Sequence, residues 1–334
     1  MPRPMSALSA LIAAAALIPA AGLGADQPQL TVYAPDYFAS DWGPGPGIEA
    51  AFEAVCGCDL VYVTGDVLPR LLLEGASSKA DVIMGLSLDQ TARARASGLL
   101  APHGQDASDF TMPVAWQDEI FLPIGWSEVA FIHDETRLPD PPASFEALLD
   151  MPDDAIRIII SDPRTSPSGL AMMLWVEAAF GDRAEEAWRK LAPKVLTITK
   201  GWSEAYGLFT DGEAEMVLSY VTSPAYHIVA EGDLTKRAVL WPEGHYLYTE
   251  TAARTAGAAQ PELADQFMAF LLSPEFQSLI ALKNWTYPPR LQPEDLPEGI
   301  RELPRPEKTL YFTEPEAEAL RAPATERFLR AFAG

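Results

Sequence analysis

Aromatic and hydroxyl side chains gather in a few short loops of this sequence, in combinations that suit holding a flat polar molecule. The segment Thr199-Lys200-Gly201-Trp202-Ser203-Glu204-Ala205-Tyr206 sets a tryptophan between glycine and serine at the mouth of a helix. There it offers a ring face or its indole N–H to a ligand. In Leu218-Ser219-Tyr220-Val221-Thr222-Ser223-Pro224-Ala225-Tyr226, two tyrosines flank a Thr-Ser-Pro turn, putting hydroxyl donors beside aromatic faces. The run Ser161-Asp162-Pro163-Arg164-Thr165-Ser166-Pro167-Ser168-Gly169 follows a strand and opens a helix, so its hydroxyls and free amides point donors at an anion. Ordinary helix capping accounts for the same residue types. Asn284-Trp285-Thr286-Tyr287-Pro288 adds a further aromatic group. Taken singly, Trp285 suits a core position; with the other rings it suits the wall of a cleft. Rings from separated segments sandwich a planar ligand, and each face well placed on a cationic ring adds about 0.5–2 kcal/mol.

Groups suited to bond making are few. His227 and His245 show no nucleophile-base-acid order and read as hydrogen-bonding structural histidines. Asp153-Asp154 reads as a solvated turn. Cys56 and Cys58 read as a structural thiol pair or a local disulfide of an oxidising compartment; a reactive thiol lacks a nearby base. With only these 2 cysteines and 4 histidines, a protein-built zinc or iron–sulfur centre is not expected. The formal charge of −23 argues against nucleic acid, whose phosphates demand clustered cations.

The elements that must carry these loops alternate. Strand-like runs at 30–33, 59–63, 80–85, 129–132, 156–160 and 213–218 are interleaved with helix-like runs at 48–55, 68–74, 168–179 and 274–282. Ser144 is placed to cap a helix after Pro141-Pro142, and Gln260-Pro261-Glu262 opens another with Leu263, Phe267 and Phe270 on one face. This is the pattern of an α/β protein with a mainly parallel sheet. At 334 residues, roughly two domains are expected. Without a long linker between them, they fit two lobes joined by short crossover strands with a cleft between. The proline-rich stretch 288–306 reads as surface wrapping. Residues 1–25 carry one arginine, a short apolar run and a small-residue end, the make-up of a cleaved secretory signal peptide, and the run is shorter than the ~20 residues that span a bilayer. A soluble periplasmic protein is expected.

The chain resembles the periplasmic thiamine-binding proteins of ATP-driven uptake transporters. The resemblance runs from the mature N-terminus to about Pro288. It rests on Leu-Thr-Val-Tyr at 30–33, Asp-Trp-Gly-Pro-Gly-Pro at 41–46, Cys-x-Cys at 56–58, Ser-Lys-Ala-Asp-Val at 78–82 and Asp-Pro-Arg-Thr-Ser at 162–166. Thr-Lys-Gly-Trp-Ser-Glu-Ala-Tyr-Gly at 199–207, Thr-Ser-Pro-Ala-Tyr-His at 222–227, Glu-Gly-His-Tyr-Leu at 243–247 and Asn-Trp-x-Tyr-Pro at 284–288 complete it.

The resemblance implies a two-lobed periplasmic binding protein of the type II kind. It would close on thiamine or a thiamine phosphate and deliver it, as a monomer without cofactor, to an inner-membrane ABC permease. The lobes would be 26–127 with 240–334, whose C-terminal part wraps the molecule, and 128–239. By the same resemblance Trp202, Tyr220, Tyr226 and Trp285 match aromatic ligand contacts, Ser166, Thr222 and Ser223 the polar side, and Asp66 an acidic contact. One departure concerns the tyrosine that the family places two residues after Tyr33, where this chain has Pro35; either Tyr37 or Phe38 then supplies that face, and Trp126 is a further candidate. Two alternatives keep the fold and change the ligand, to a polyamine or to ferric iron, the latter disfavoured because no Tyr-Tyr pair is present. A third is a thiaminase-like enzyme using Cys56 or Cys58 as nucleophile.

Overall fold

The computed structural model describes residues 27–333. The segment read as a signal peptide lies outside them. In chain order the elements are β1 (Gln29–Ala34), α1 (Gly45–Cys56), β2 (Asp59–Thr64), α2 (Val67–Glu74), β3 (Val82–Ser87), α3 (Leu88–Ala96) and β4 (Leu100–Ala101). A long strand, β5 (Leu122–Asp134), leads to α4 (Phe145–Asp150), β6 (Ile158–Ser161), α5 (Pro167–Phe180), α6 (Ala184–Leu191), β7 (Val195–Thr199), α7 (Trp202–Thr210), β8 (Met216–Tyr220), α8 (Pro224–Tyr226) and β9 (Lys236–Ala238). A second long strand, β10 (His245–Thr255), precedes α9 (Pro261–Phe270), α10 (Pro274–Leu279), β11 (Thr309–Leu310) and α11 (Glu314–Phe332).

Hydrogen bonding orders the main strands β2-β1-β3-β10-β5-β8-β6-β7. At one end β1 pairs in parallel with β2 and β3, and at the other β6 pairs in parallel with β7 and β8. The two long strands between them are antiparallel to each other. Residues 122–128 of β5 pair with β10, and residues 129–134 pair with β8 and β9. Each long strand therefore belongs to both halves. A mainly parallel sheet is right for the two ends and wrong for the middle, where a chain that leaves one half and later returns must run both ways. Leu30, Phe52, Phe267 and Phe276 fill the core of the first lobe, and Phe131, Phe145, Trp175 and Trp188 fill that of the second.

Local signals explain most boundaries. Pro46 enters the first turn of α1, and Gly57, at φ 63°, ends it in the left-handed conformation that glycine adopts freely. Ser144 caps α4 by accepting from the Ala147 amide at 2.9 Å, and Asp153-Asp154 lies in a turn. The strand expected at 129–132 is longer than its apolar run because Pro123 and Gly125 mask its first part. Pro123 sits opposite Thr251 at a register shift, where a missing N–H is tolerated.

The C-terminal part departs from the expected surface wrapping. Leu296, Ile300 and Leu303 are buried with Trp126 and Tyr287, and the Arg305 guanidinium lies over both rings, 4.7 and 4.4 Å from their centroids. Beyond it comes α11, opened by a Thr313–Glu316 capping box. Its Ala317, Ala324 and Phe328 enter the core of the second lobe, and Arg327 and Arg330 pair with Glu177 and Glu185 at 2.6 and 3.1 Å. Its Glu314 pairs with Arg95 of α3 at 2.9 Å, and Arg321 donates to the Asp89 carbonyl of the same helix. The helix thus holds on to both lobes.

His245, at the start of β10, ties the long strands together. Its Nδ1 donates to the Val129 carbonyl at 2.8 Å and its Nε2 accepts from the Trp241 amide at 2.7 Å, an arrangement only the neutral ring satisfies. Burial pushes its pKa down to about 4. The unfolded chain therefore takes up a proton here near pH 6.5 that the folded chain refuses, so the stability contribution is complete above that pH and declines as pH falls toward 4. Urea denaturation between pH 7 and pH 4 is expected to cost the intact chain on the order of 3 kcal/mol more than it costs a His245→Gln variant. Parallel profiles for the two proteins would remove His245 from the account.

Candidate ligand-binding cleft

The loop after β1 turns at Pro35. Gly85 of β3, at φ 78°, makes room for it: a Cβ there would lie 2.5 Å from the Pro35 ring. The next residues separate. Phe38 is fully buried in the first core, edge-on to Tyr62, whereas Tyr37 reaches β10 and donates its hydroxyl to Glu250 Oε1 at 2.5 Å. Of the two candidates for the missing aromatic face, Tyr37 is the one that leaves the core. Trp126 does not substitute for it, being packed on Tyr287 beneath Arg305.

Glu250 is buried opposite Gly125 on the paired long strands. Its Oε1 also accepts from the Tyr248 hydroxyl at 3.2 Å, and its Oε2 from Asn284 Nδ2 at 2.6 Å. Burial raises the pKa of this carboxyl, and the three donors offset that only in part. Burial, followed by the charge on Glu250, holds the Tyr37 and Tyr220 phenols well above their usual range. The Tyr220 ring, at the end of β8, lies 4.7 Å from that of Tyr248.

From Tyr220 the contacts pass into the second lobe. Ser223 Oγ accepts from the Tyr220 amide at 3.2 Å and pairs with Ser219 Oγ at 2.6 Å, and Ser219 accepts the Trp202 indole N–H at 2.8 Å. That N–H is already engaged, so what Trp202 can present is a ring face, stacked on its other side against Tyr206 at 5.0 Å. Tyr206 in turn meets His227 Nε2 at 3.0 Å, and His227 Nδ1 meets Glu231 at 2.6 Å. Thr222 is buried, its hydroxyl 3.0 Å from Ser127 on β5. Tyr226, 40% exposed, stands edge-on to Trp285 with centroids 5.6 Å apart.

Ser166 and Ser168 hydroxyls lie 2.8 Å apart at the N-terminus of α5, and Ser168 also stands beside the Tyr220 hydroxyl. Gly169 lets this helix begin hard against the end of β6, since a Cβ would sit 2.4 Å from the Ser161 carbonyl. Contacts thus join Tyr37, Tyr220, Ser223, Trp202 and Ser166 into one network, with Tyr226 and Trp285 as a pair beside Asn284. Asp66 is apart from it: exposed at the start of α2, its side chain makes no hydrogen bond within the described residues. Sequence reasoning missed Glu250, Tyr248, Asn284 and Ser219. A lone acid in the otherwise β-prone run Tyr246-Leu247-Tyr248-Thr249-Glu250-Thr251 was the available signal.

No thiol is free for attack on a ligand, because Cys56 and Cys58 form a disulfide at the end of α1. Residues 48–282 match the bacterial extracellular solute-binding proteins. The chain belongs to that family. This solute-binding protein is 46% identical to the thiamine-binding periplasmic protein of Escherichia coli strain K12 over 299 residues, covering 88% of this chain and 90% of that one. A solved structure titled periplasmic thiamin binding protein superposes with a TM-score of 0.88 at 45% identity, covering 92% of this chain and 96% of that one. Iron-bound HitA of Pseudomonas aeruginosa superposes at 0.72 with 22% identity, covering 91% and 99%, and shows the shared fold alone. The fold is therefore the two-lobed α/β architecture of periplasmic binding proteins, with crossover strands β5 and β10 joining the lobes.

Trp285 holds the one positive φ, 55°, among the described non-glycine residues. The left-handed conformation costs a residue with a Cβ about 1–2 kcal/mol and costs glycine little. Trp285→Gly is therefore expected to be more stable than Trp285→Ala by about 1 kcal/mol in urea denaturation, the reverse of the order in ordinary helical positions. An alanine variant equal to or more stable than the glycine variant would contradict the strain assigned to this backbone.

Proposed function

We propose that this protein captures thiamine, or a thiamine phosphate, in the periplasm and hands it to an inner-membrane ABC permease, acting as a monomeric carrier and not as an enzyme. The observation that carries the reading is the gathering of Tyr37, Tyr220, Tyr226 and Trp285, from both lobes and the segment behind them, around hydroxyls and one buried carboxylate. Thiamine has a flat aminopyrimidine, a cationic thiazolium and a hydroxyl that can carry phosphate. Aromatic faces suit both rings. The paired hydroxyls of Ser166 and Ser168 at the start of α5, together with Ser223, supply donors for the hydroxyl or phosphate end. Thr222 fixes the turn to the crossover strand, and Asp66 is an acidic contact brought in when the lobes close. We place the lobe boundaries near residues 127 and 240, with 26–127 and the chain from 240 forming one lobe and 128–239 the other, and with α11 at the end of the chain packed into the core of the second.

Ferric iron is the poorer cargo. No two tyrosines are adjacent in the sequence to serve as a pair of phenolate ligands. The first test is to purify the protein without added ligand, denature it and identify the released molecule by mass spectrometry. Thiamine or one of its phosphates is expected. Titration with thiamine should quench tryptophan emission, less so in Trp202→Ala and Trp285→Ala, each with affinity reduced by about tenfold. Unchanged quenching and affinity in both variants would sink the assignment of these rings to the cleft.

A further inference from the structure

The buried carboxylates of this protein differ in one respect. Glu177 pairs with Arg327, Glu128 has Arg305 at 3.7 Å, Asp89 feels the charge of Arg321, and Asp81 is held by the Thr31 and Gln260 backbone amides at 2.8 and 2.9 Å, the second at the start of α9. Glu250, equally buried, is met only by neutral donors, the hydroxyls of Tyr37 and Tyr248 and the amide of Asn284. No lysine or arginine pairs with it among the described residues, and it does not cap a helix. A charge in that setting is stabilised by hydrogen bonds but lacks a counterion. The Tyr220 and Tyr248 rings lie together beside it, and Tyr37, from the loop after β1, donates to it. Its place on the crossover strand keeps it fixed while the lobes move around it.

We propose that Glu250 is the counterion that selects a ligand with a fixed positive charge, and that Tyr37, Tyr248 and Asn284 are positioning residues that aim its carboxylate at that charge. The inference rests on the thiamine reading and deepens it, by naming the group that separates a thiazolium from an uncharged ring of the same shape. A neutral isostere stacks equally well on the aromatic faces but leaves the carboxylate unpaired in the closed cleft. The selectivity therefore comes from an electrostatic mismatch and not from shape.

The test compares intact protein with Glu250→Gln by calorimetric titration of two ligands: thiamine, and the analogue in which carbon replaces the ring nitrogen that bears its charge. The intact protein should favour thiamine by about tenfold or more, and Glu250→Gln should lose about tenfold or more for thiamine while changing by less than about threefold for the analogue. The ligand-free variant should melt at the same or a higher temperature, because a buried unpaired charge has been removed. That shift separates loss of the counterion from loss of the fold. Equal effects on both ligands, or no effect on either, would overturn the role of Glu250 and leave thiamine as the cargo. Failure of the intact protein to bind thiamine at all would overturn both.

Discussion

The pairing of β5 with β10 is the constraint on which the molecule is built. Backbone hydrogen bonds along residues 122–128 and 247–252 join the two halves of the sheet. Each parallel sheet is grafted onto one side of that pair, and every cleft residue is measured from it. Glu250 and Tyr248 project from β10, Ser127 from β5 holds Thr222, and Trp126 of β5 bridges to Tyr287 through both of its backbone groups, at 2.9 and 2.8 Å. A change of one residue in that register would turn the carboxylate away from Tyr37 and Asn284 and leave three polar groups unmatched in the interior.

The cleft spends many of its polar groups on itself. Ser219, Ser223, Ser127, Thr222 and the Trp202 indole form pairs with one another. Such a network fixes rotamers before a ligand arrives, so less conformational entropy is lost on binding. The Trp202 ring face is thereby set by the serine hydroxyls that hold its indole N–H.

How much of this was legible in the sequence follows the range of the interactions involved. Elements fixed by neighbours were readable: the helix after Pro44, the capped start at Ser144, and the strands around Leu30 and Ile159 all carry their signal within a few residues. That Trp202, Tyr220, Tyr226 and Trp285 stand at the ends of elements was also readable, from the glycine, serine and proline around them. Glu250, Tyr248 and Asn284 were not. Their meaning depends on a strand register between segments more than a hundred residues apart in the chain, which no local pattern encodes. The helix α11 was hidden for another reason: Pro323 lies inside it, and proline there argues against a helix unless packing outweighs the lost hydrogen bond.

That helix changes what the two strands can do. A joint made of a pair of adjacent strands resists sliding but yields readily to torsion along its own length. By gripping α3 through Glu314 and Arg321 and the opposite lobe through Phe328, Arg327 and Arg330, α11 adds a stay set off from the joint axis. Twisting would stretch the stay, whereas a swing about its attachment would not.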